Sequence, residues 1–153
     1  APIALYVGKV SKDKGIFDLL EALYIIAKKG ITIKLIIAGN YTDKFKKEMK
    51  LRYKTLDIDY KGQLSYNKLK RLYLTSTFGV IPSLYEQCSY VAIEMSMFGL
   101  PMIVSNIDAL AEMFDHEETA LMTPLSFDSD FGVKANMEIF IDNIIRLIKD
   151  DNS

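Results

Sequence analysis

"PIALYVGKVSKDKGIFDLLEALYIIAKKGITIKLIIAG", Pro2 to Gly39, holds the pattern that decides the fold. Its apolar opening, Pro2 to Gly8, is too short for a buried helix and ends on glycine, so it reads as a strand. From Gly15 the period changes, and Ile16, Leu20, Leu23 and Ala27 fall on one helical face. Lys28 and Lys29 in the last turn and Gly30 beyond it suit a helix C-terminus. "ITIKLIIAG" is then a second strand. Two strands joined through a helix need a crossover, so they pair in parallel.

The alternation continues outward. A basic helix over "TDKFKKEMKLRYKTL", capped by Thr42 or Asp43, leads to a short strand in "IDYKG". A helix capped by Ser65 turns Leu69, Leu72 and Tyr73 inward. "FGVIPS" is a buried strand, followed by a helix from about Cys88 to Met97 that stops at Gly99-Leu100-Pro101. "PMIVS" is a strand, "DALAEMF" one or two helical turns, and "TALMTP" a short strand. A last helix is expected from about Val133 to Lys149, with Met137, Phe140 or Ile141, Ile144 and Ile148 as its apolar stripe. The expected fold is α/β, doubly wound and Rossmann-like: a mostly parallel six-stranded sheet with helices on both faces, in one domain over residues 1–153.

Half of the 153 residues are hydrophobic and the formal net charge is −1, so nothing draws the chain as a whole to nucleic acid or membrane. The charge is uneven. Residues 44–71 carry ten Lys or Arg against three acids, and residues 106–153 carry three against eleven. Solvated helix faces explain this, and so would basic patches that meet phosphates or anionic lipid heads. A single cysteine cannot form an internal disulfide, which fits a reducing cytosol. No apolar run approaches the length of a membrane span. The start at Ala1-Pro2, running at once into a strand, is expected of a domain taken from a longer protein, although an artificial boundary would give the same start.

Open α/β sheets bind ligands outside the carboxyl ends of their strands, which singles out loops 8–15, 39–43, 62–66 and 83–89. The first, "VGKVSKDKG", is neither a Walker A loop nor a dinucleotide fingerprint. Lys9 and Lys14 in it nevertheless sit beside a helix start, where they would neutralise phosphate oxygens. In the fourth, "YEQCSYVAIE", the N–H groups of about Gln87 to Tyr90 would open the next helix, between Glu86 and Glu94. A continuous helix would separate those two residues by about 12 Å along its axis and roughly 80° around it. A glycosidase pair needs about 5–5.5 Å or about 6.5–9.5 Å, so a hydrolytic pair is disfavoured. Two ligand contacts flanking an anion suit the spacing better. Two exposed glutamates would satisfy it as well.

Taken together, "VGKVSKDKG" with "FDLLEAL", "LIIAGN" and "YEQCSYVAIEMSMFGLPMIVS" resemble the donor-binding half of family-4 retaining glycosyltransferases of the GT-B fold, in order and over nearly all of the chain. The resemblance implies a metal-independent transfer, without cofactor, of a hexosyl group from a nucleotide diphosphate sugar, a UDP-sugar by preference, to a glycan or lipid-linked acceptor. The acceptor would be held by an N-terminal domain absent from this chain, and this domain alone would show little turnover. It implies Lys9 and Lys14 on the diphosphate beside Gly8, Glu86 on the donor sugar and Glu94 on the ribose. Gln87 and the backbone of Cys88, Ser89 and Tyr90 would meet the sugar or β-phosphate, and Gln63 and Leu64 the base. It further implies a cytoplasmic enzyme, with peripheral contact to the membrane's cytoplasmic face and no nucleic-acid partner. Three departures stand out. Lys9 replaces the usual Arg and loses its bidentate fork. Gln87-Cys88-Ser89 replaces a Gly-Phe-Gly-like triplet, and "NIDALAE" a Gly-rich turn, with Glu112 at the matching acid.

Other readings compete. A GT-B epimerase or phosphorylase would share the donor site, and a non-catalytic nucleotide-binding α/β module would share the fold. Asp57-x-Asp59 and Asp128-x-Asp130 have the spacing of a metal-binding D-x-D, and Cys88 as a nucleophile would need an activating base, for which His116 is the only histidine.

Overall fold

The computed structural model describes residues 1–114, 120–130 and 132–151. His116 lies outside them. Six strands form one sheet: β1 (Ile3–Val7), β2 (Lys34–Ala38), β3 (Asp57–Gly62), β4 (Phe78–Ile81), β5 (Met102–Ser105) and β6 (Ala120–Thr123). Their order is β3-β2-β1-β4-β5-β6. Every pairing in this sheet is parallel, with β1 hydrogen-bonded to both β2 and β4. Strand order therefore reverses between β1 and β4, where the loops after them part and leave a crevice.

Side chains of β1 alternate between two cores. Ala4 and Tyr6 pack with α1 (Ile16–Lys28), α2 (Asp43–Arg52) and α6 (Met137–Asp151) on one face. Leu5 packs on the other with α3 (Tyr66–Thr75), α4 (Tyr90–Met97) and α5 (Asp108–Ala111). The expected doubly wound α/β fold is present, with both faces covered.

The polar residues that mark helix ends act as their chemistry dictates. Thr42, rather than Asp43, caps α2 by accepting the Phe45 N–H at 3.0 Å, and Ser65 accepts the Lys68 N–H at 3.4 Å. Lys29, Gly30 and Ile31 close α1 in a Schellman arrangement, the Gly30 and Ile31 N–H groups donating to the carbonyls of Ala27 and Ile26.

Two boundaries differ from expectation. Val133 does not open the last helix; it lies in β8 (Gly132–Ala135), which pairs antiparallel with β7 (Leu125–Asp128) as a separate hairpin. The helix starts later because Asn136 caps it, accepting the Ile139 N–H at 3.2 Å. Cys88 likewise stands outside α4. Ser89, at φ −101° and ψ 101°, is the cap, and its Oγ accepts the Ala92 N–H at 3.1 Å. "DALAEMF" forms a single turn, α5, within the one or two turns expected.

Candidate functional site

The crevice between β1 and β4 is built by two loops that lock together. Ser11 caps a 3-10 turn over Lys12–Lys14, which ends on Gly15 at φ +75°. A Cβ on Gly15 would overlap the backbone carbonyl oxygen of Pro82, the residue that follows β4. Only glycine allows both this φ and this approach. Beyond that contact, the Leu84 and Tyr85 N–H groups donate to the Asp13 carbonyl at 2.8 and 3.3 Å. The turn after β1 and the loop after β4 are thereby held as one unit.

Lys14 and Glu86, 72 residues apart in sequence, meet in that unit. Lys14 Nζ lies 2.9 Å from Glu86 Oε2. The same oxygen accepts from Ser83 Oγ at 3.2 Å, and Ser83 is buried. Glu86 is 12% exposed at its side chain and Lys14 35%, so the pair sits at the crevice wall rather than free in solvent. Tyr6 lies below it and donates to the Lys9 carbonyl at 2.6 Å. Burial pushes the Tyr6 phenol well above its usual range, and the Glu86 charge adds to that, so Tyr6 stays a donor and fixes the Lys9 backbone. The Lys9 side chain is exposed and forms no ion pair among the described residues.

Two cavities meet over Val7, Gly8 and Lys9. One, of about 250 Å³, is walled by Lys14, Ser83, Glu86 and the stretch Cys88 to Val91. The other, of about 490 Å³, is walled by Gly39, Asn40, Gln63, Leu64 and Leu69. Gly39 is needed for the junction, since a Cβ there would overlap the Gly8 carbonyl oxygen. Together they have the dimensions of small-molecule sites, which run to about 300–1,000 Å³. A larger cavity of about 700 Å³ lies along the outer face of α1. Its acidic residues are already engaged, Asp18 with the Ala135 N–H at 2.9 Å and Glu21 with Lys134 at 3.2 Å. The convergence of unequal charges at a strand-order reversal favours the smaller pair of cavities as the site of chemistry.

Of the residues singled out from sequence, Gly8, Lys9, Lys14, Glu86, Cys88, Ser89 and Tyr90 line the first cavity, and Gln63 and Leu64 the second. Gln87 lines neither; its exposed amide donates to Tyr85 OH at 3.1 Å. Glu94 also lines neither. It is half-buried between α3 and α4, and its Oε2 accepts from Tyr73 OH at 2.6 Å. The helix-start donors also differ from expectation. With Ser89 as cap, α4 offers the N–H groups of Tyr90 and Val91 rather than those of Gln87 to Tyr90, because Ser89 already engages Ala92 and Ile93.

Sequence reasoning missed Ser83 and Tyr6 as partners in the site. Ser83 stands three residues before Glu86, a spacing that could have flagged it. Tyr6 read as an ordinary strand residue. The D-x-D candidates are otherwise engaged: Asp59 pairs with Lys61 at 3.0 Å, and Asp128 accepts the Asp130 N–H at 2.8 Å. Among the described residues no group of three or more His, Cys, Asp or Glu is placed to hold a metal ion, and no helix is long and apolar enough to cross a membrane.

Known proteins resemble this chain in sequence and in fold. Residues 1–153 match the family model for glycosyl transferases group 1. An uncharacterized glycosyltransferase of Methanocaldococcus jannaschii is 33% identical over 118 residues, which is 74% of this chain and 29% of that protein. A glycogen synthase of Mycobacterium tuberculosis is 31% identical over 123 residues, 76% of this chain and again 29% of the relative. The chain thus spans under a third of the length of these relatives. Among solved structures, sucrose-phosphate synthase from Thermosynechococcus elongatus superposes with a TM-score of 0.83 at 26% identity, covering 99% of this chain and 37% of that one. Anabaena HepE in complex with UDP and glucose superposes with a TM-score of 0.79 at 16% identity, covering 98% of this chain and 39% of that one.

Proposed function

Because the chain belongs to the glycosyl transferases group 1 family, we propose that it is the donor-binding domain of a retaining, metal-independent glycosyltransferase. It takes a hexosyl group from a nucleotide diphosphate sugar, a UDP-sugar by preference, and passes it to a glycan or lipid-linked acceptor held by another part of the intact protein. One observation carries this reading: Lys14 and Glu86 are held together where strand order reverses, beside two cavities that share Gly8 and Lys9. The likeness in fold to a protein crystallised with UDP and glucose, and the short share of each relative that the chain spans, support it.

In this reading the base occupies the cavity of Gln63 and Leu64, and the diphosphate crosses Gly8 and Lys9. The sugar faces Glu86, Cys88 and Ser89. Reaction breaks the bond between the anomeric carbon and the β-phosphate oxygen, so negative charge grows on the departing diphosphate and positive charge on the sugar. Lys9, Lys14 and the Tyr90 and Val91 N–H groups oppose the first, and the Glu86 carboxylate the second. Groups fixed before the charge develops stabilise the transition state without reorganising. Glu86 meets that condition, since Ser83 and Lys14 both hold one of its oxygens. The exposed thiol of Cys88 is consistent with a reducing, cytoplasmic location.

Calorimetry with UDP, GDP and UDP-sugars on the intact protein tests donor binding, and silence at millimolar nucleotide would reject it. Glu86→Gln is expected to cut kcat by at least ~100-fold, in line with loss of one electrostatic stabiliser, and to leave UDP affinity within a few fold. Unchanged turnover would remove Glu86 from the chemistry.

A further inference from the structure

Resting on the ribose role that the family resemblance implies for Glu94, a residue that lines neither cavity itself, we propose that Tyr73 is a positioning residue for the donor, setting which oxygen of Glu94 the ribose hydroxyls meet. Tyr73 OH donates to Glu94 Oε2 at 2.6 Å, the short distance of an O–H···O⁻ bond. A phenol has one proton to give, so it claims one carboxylate oxygen and leaves Oε1 with no partner among the described residues.

The phenol cannot swing away. The Tyr73 ring is 1% exposed and stacks on Phe98, with centroids 5.6 Å apart and planes 19° apart. Phe98 follows Glu94 by one helical turn, and its N–H donates to the Glu94 carbonyl. One aromatic ring therefore packs on the end of α4 and clamps the carboxylate one turn earlier. Burial and the bond to Glu94 both hold the phenol protonated far into the alkaline range, so the donor persists.

On its own helix, Tyr73 follows Leu69 by four residues, and Leu69 lines the cavity of Gln63 and Leu64. The α3 face that walls the proposed base cavity thus also aims the proposed ribose carboxylate on α4, so base and ribose contacts are set by one rigid element. A long side chain fixed by packing and a second hydrogen bond presents its ligand atom without having to be ordered on binding. Tyr73 serves no other polar contact among the described residues.

The test compares UDP with 2′,3′-dideoxy-UDP by calorimetry on the intact protein, for the wild type, Glu94→Gln and Tyr73→Phe. The phenylalanine keeps the stacked ring and removes only the hydroxyl. The wild type is expected to prefer UDP by at least ~10-fold, as charge-assisted bonds to hydroxyls imply, and Glu94→Gln to erase that preference. Tyr73→Phe is expected to reduce it to about 3-fold or less while 2′,3′-dideoxy-UDP binds within 2-fold of wild type, which also reports an intact site. Retention of the full preference by Tyr73→Phe, with Glu94→Gln erasing it, overturns the proposal and leaves the Glu94 assignment standing. An equal loss of affinity for both ligands shows a merely structural tie between α3 and α4 and overturns it too. No preference in the wild type, or preference that survives Glu94→Gln, defeats the ribose assignment and the proposal together.

Discussion

Replacing Gly15 by alanine perturbs fold and site at one atom, and its cost can be built from the geometry. At φ +75° an alanine occupies the left-handed region, costing about 1–2 kcal/mol, from which the lower entropy of its unfolded chain returns about 0.4–1. Gly30, at φ +85° with nothing within 4 Å of a Cβ, bears only this backbone term, so Gly30→Ala should cost about 1 kcal/mol. At Gly15 the new methyl also meets the Pro82 carbonyl, which cannot rotate aside as a side chain would. Relief requires the two loops to part, loosening the bonds from Leu84 and Tyr85 to the Asp13 carbonyl at about 1 kcal/mol each. Gly15→Ala should therefore cost about 3 kcal/mol. In urea this appears as a lower midpoint at unchanged slope. On heating, at about 2–4 °C per kcal/mol for a chain of this size, it appears as a loss of roughly 6–12 °C, against about 2–4 °C for Gly30→Ala. The same parting moves the loop after β4 away from the turn that carries Lys14 and opens the crevice wall, so UDP binding should weaken in the Gly15 variant alone. Equal destabilisation of the two variants, within about 0.5 kcal/mol, would refute the reasoning, because it would show that the overlap with Pro82 is relieved at no cost.

Ser83→Ala removes one of the two donors on Glu86 Oε2 and should lower kcat about 5–10-fold with KM held within 2-fold, while stability falls by about 1 kcal/mol; an unaltered kcat in steady-state assays would deny Ser83 any part in holding Glu86. Asp18 supplies a pH prediction. Burial raises its carboxyl above the ordinary 3.8, outweighing the Ala135 N–H and the nearby lysines that pull it down. Its stabilising contribution is therefore complete below the unfolded value and is lost as pH rises through the higher folded one. Asp18→Asn retains an acceptor for the Ala135 N–H and carries no charge. Its melting temperature relative to wild type should improve from pH 4 to pH 7, and a flat or falling difference would contradict the sign.

What could be read from sequence follows the range of each interaction. The strand–helix–strand of residues 2–39 was legible because its signals are local: a glycine at each strand end, apolar residues at helical spacing, lysines in the last turn. Ser65 was legible as a cap for the same reason, and Thr42 as one of two candidates with Asp43. The start of α4 was misplaced because Cys88 and Ser89 both tolerate a first turn, and only the extended backbone of Ser89 shows which one caps. The β7–β8 hairpin was hidden because Val133-Lys134-Ala135 continues the apolar spacing of the helix behind it, until Asn136 interrupts that spacing with its side chain. In the site, Lys14 was legible as a type suited to phosphate, and Glu86 was singled out for the sugar only through the family resemblance. Their ion pair was not, because it spans 72 residues and depends on Gly15 meeting Pro82. Tyr73 and Glu94 are joined across 21 residues, and periodicity recorded Tyr73 only as an inward residue.

In the proposed reading, the Lys14–Glu86 ion pair changes how donor affinity must arise. Lys14 already neutralises Glu86 before any donor arrives, so the crevice wall is close to charge-balanced. A diphosphate that engages Lys14 replaces one anionic partner by another and gains only the difference between them. Lys9, exposed and outside any ion pair among the described residues, is the cation whose charge is still available, and its backbone is pinned by Tyr6. In the proposed complex the long-range attraction for the donor thus rests on Lys9, and the orientation of the transferred sugar on the Lys14–Glu86–Ser83 group. Lys in place of Arg at position 9 fits this division. A point charge on a flexible stem draws in a diphosphate without fixing its geometry, and the geometry is supplied by the two loops locked at Gly15.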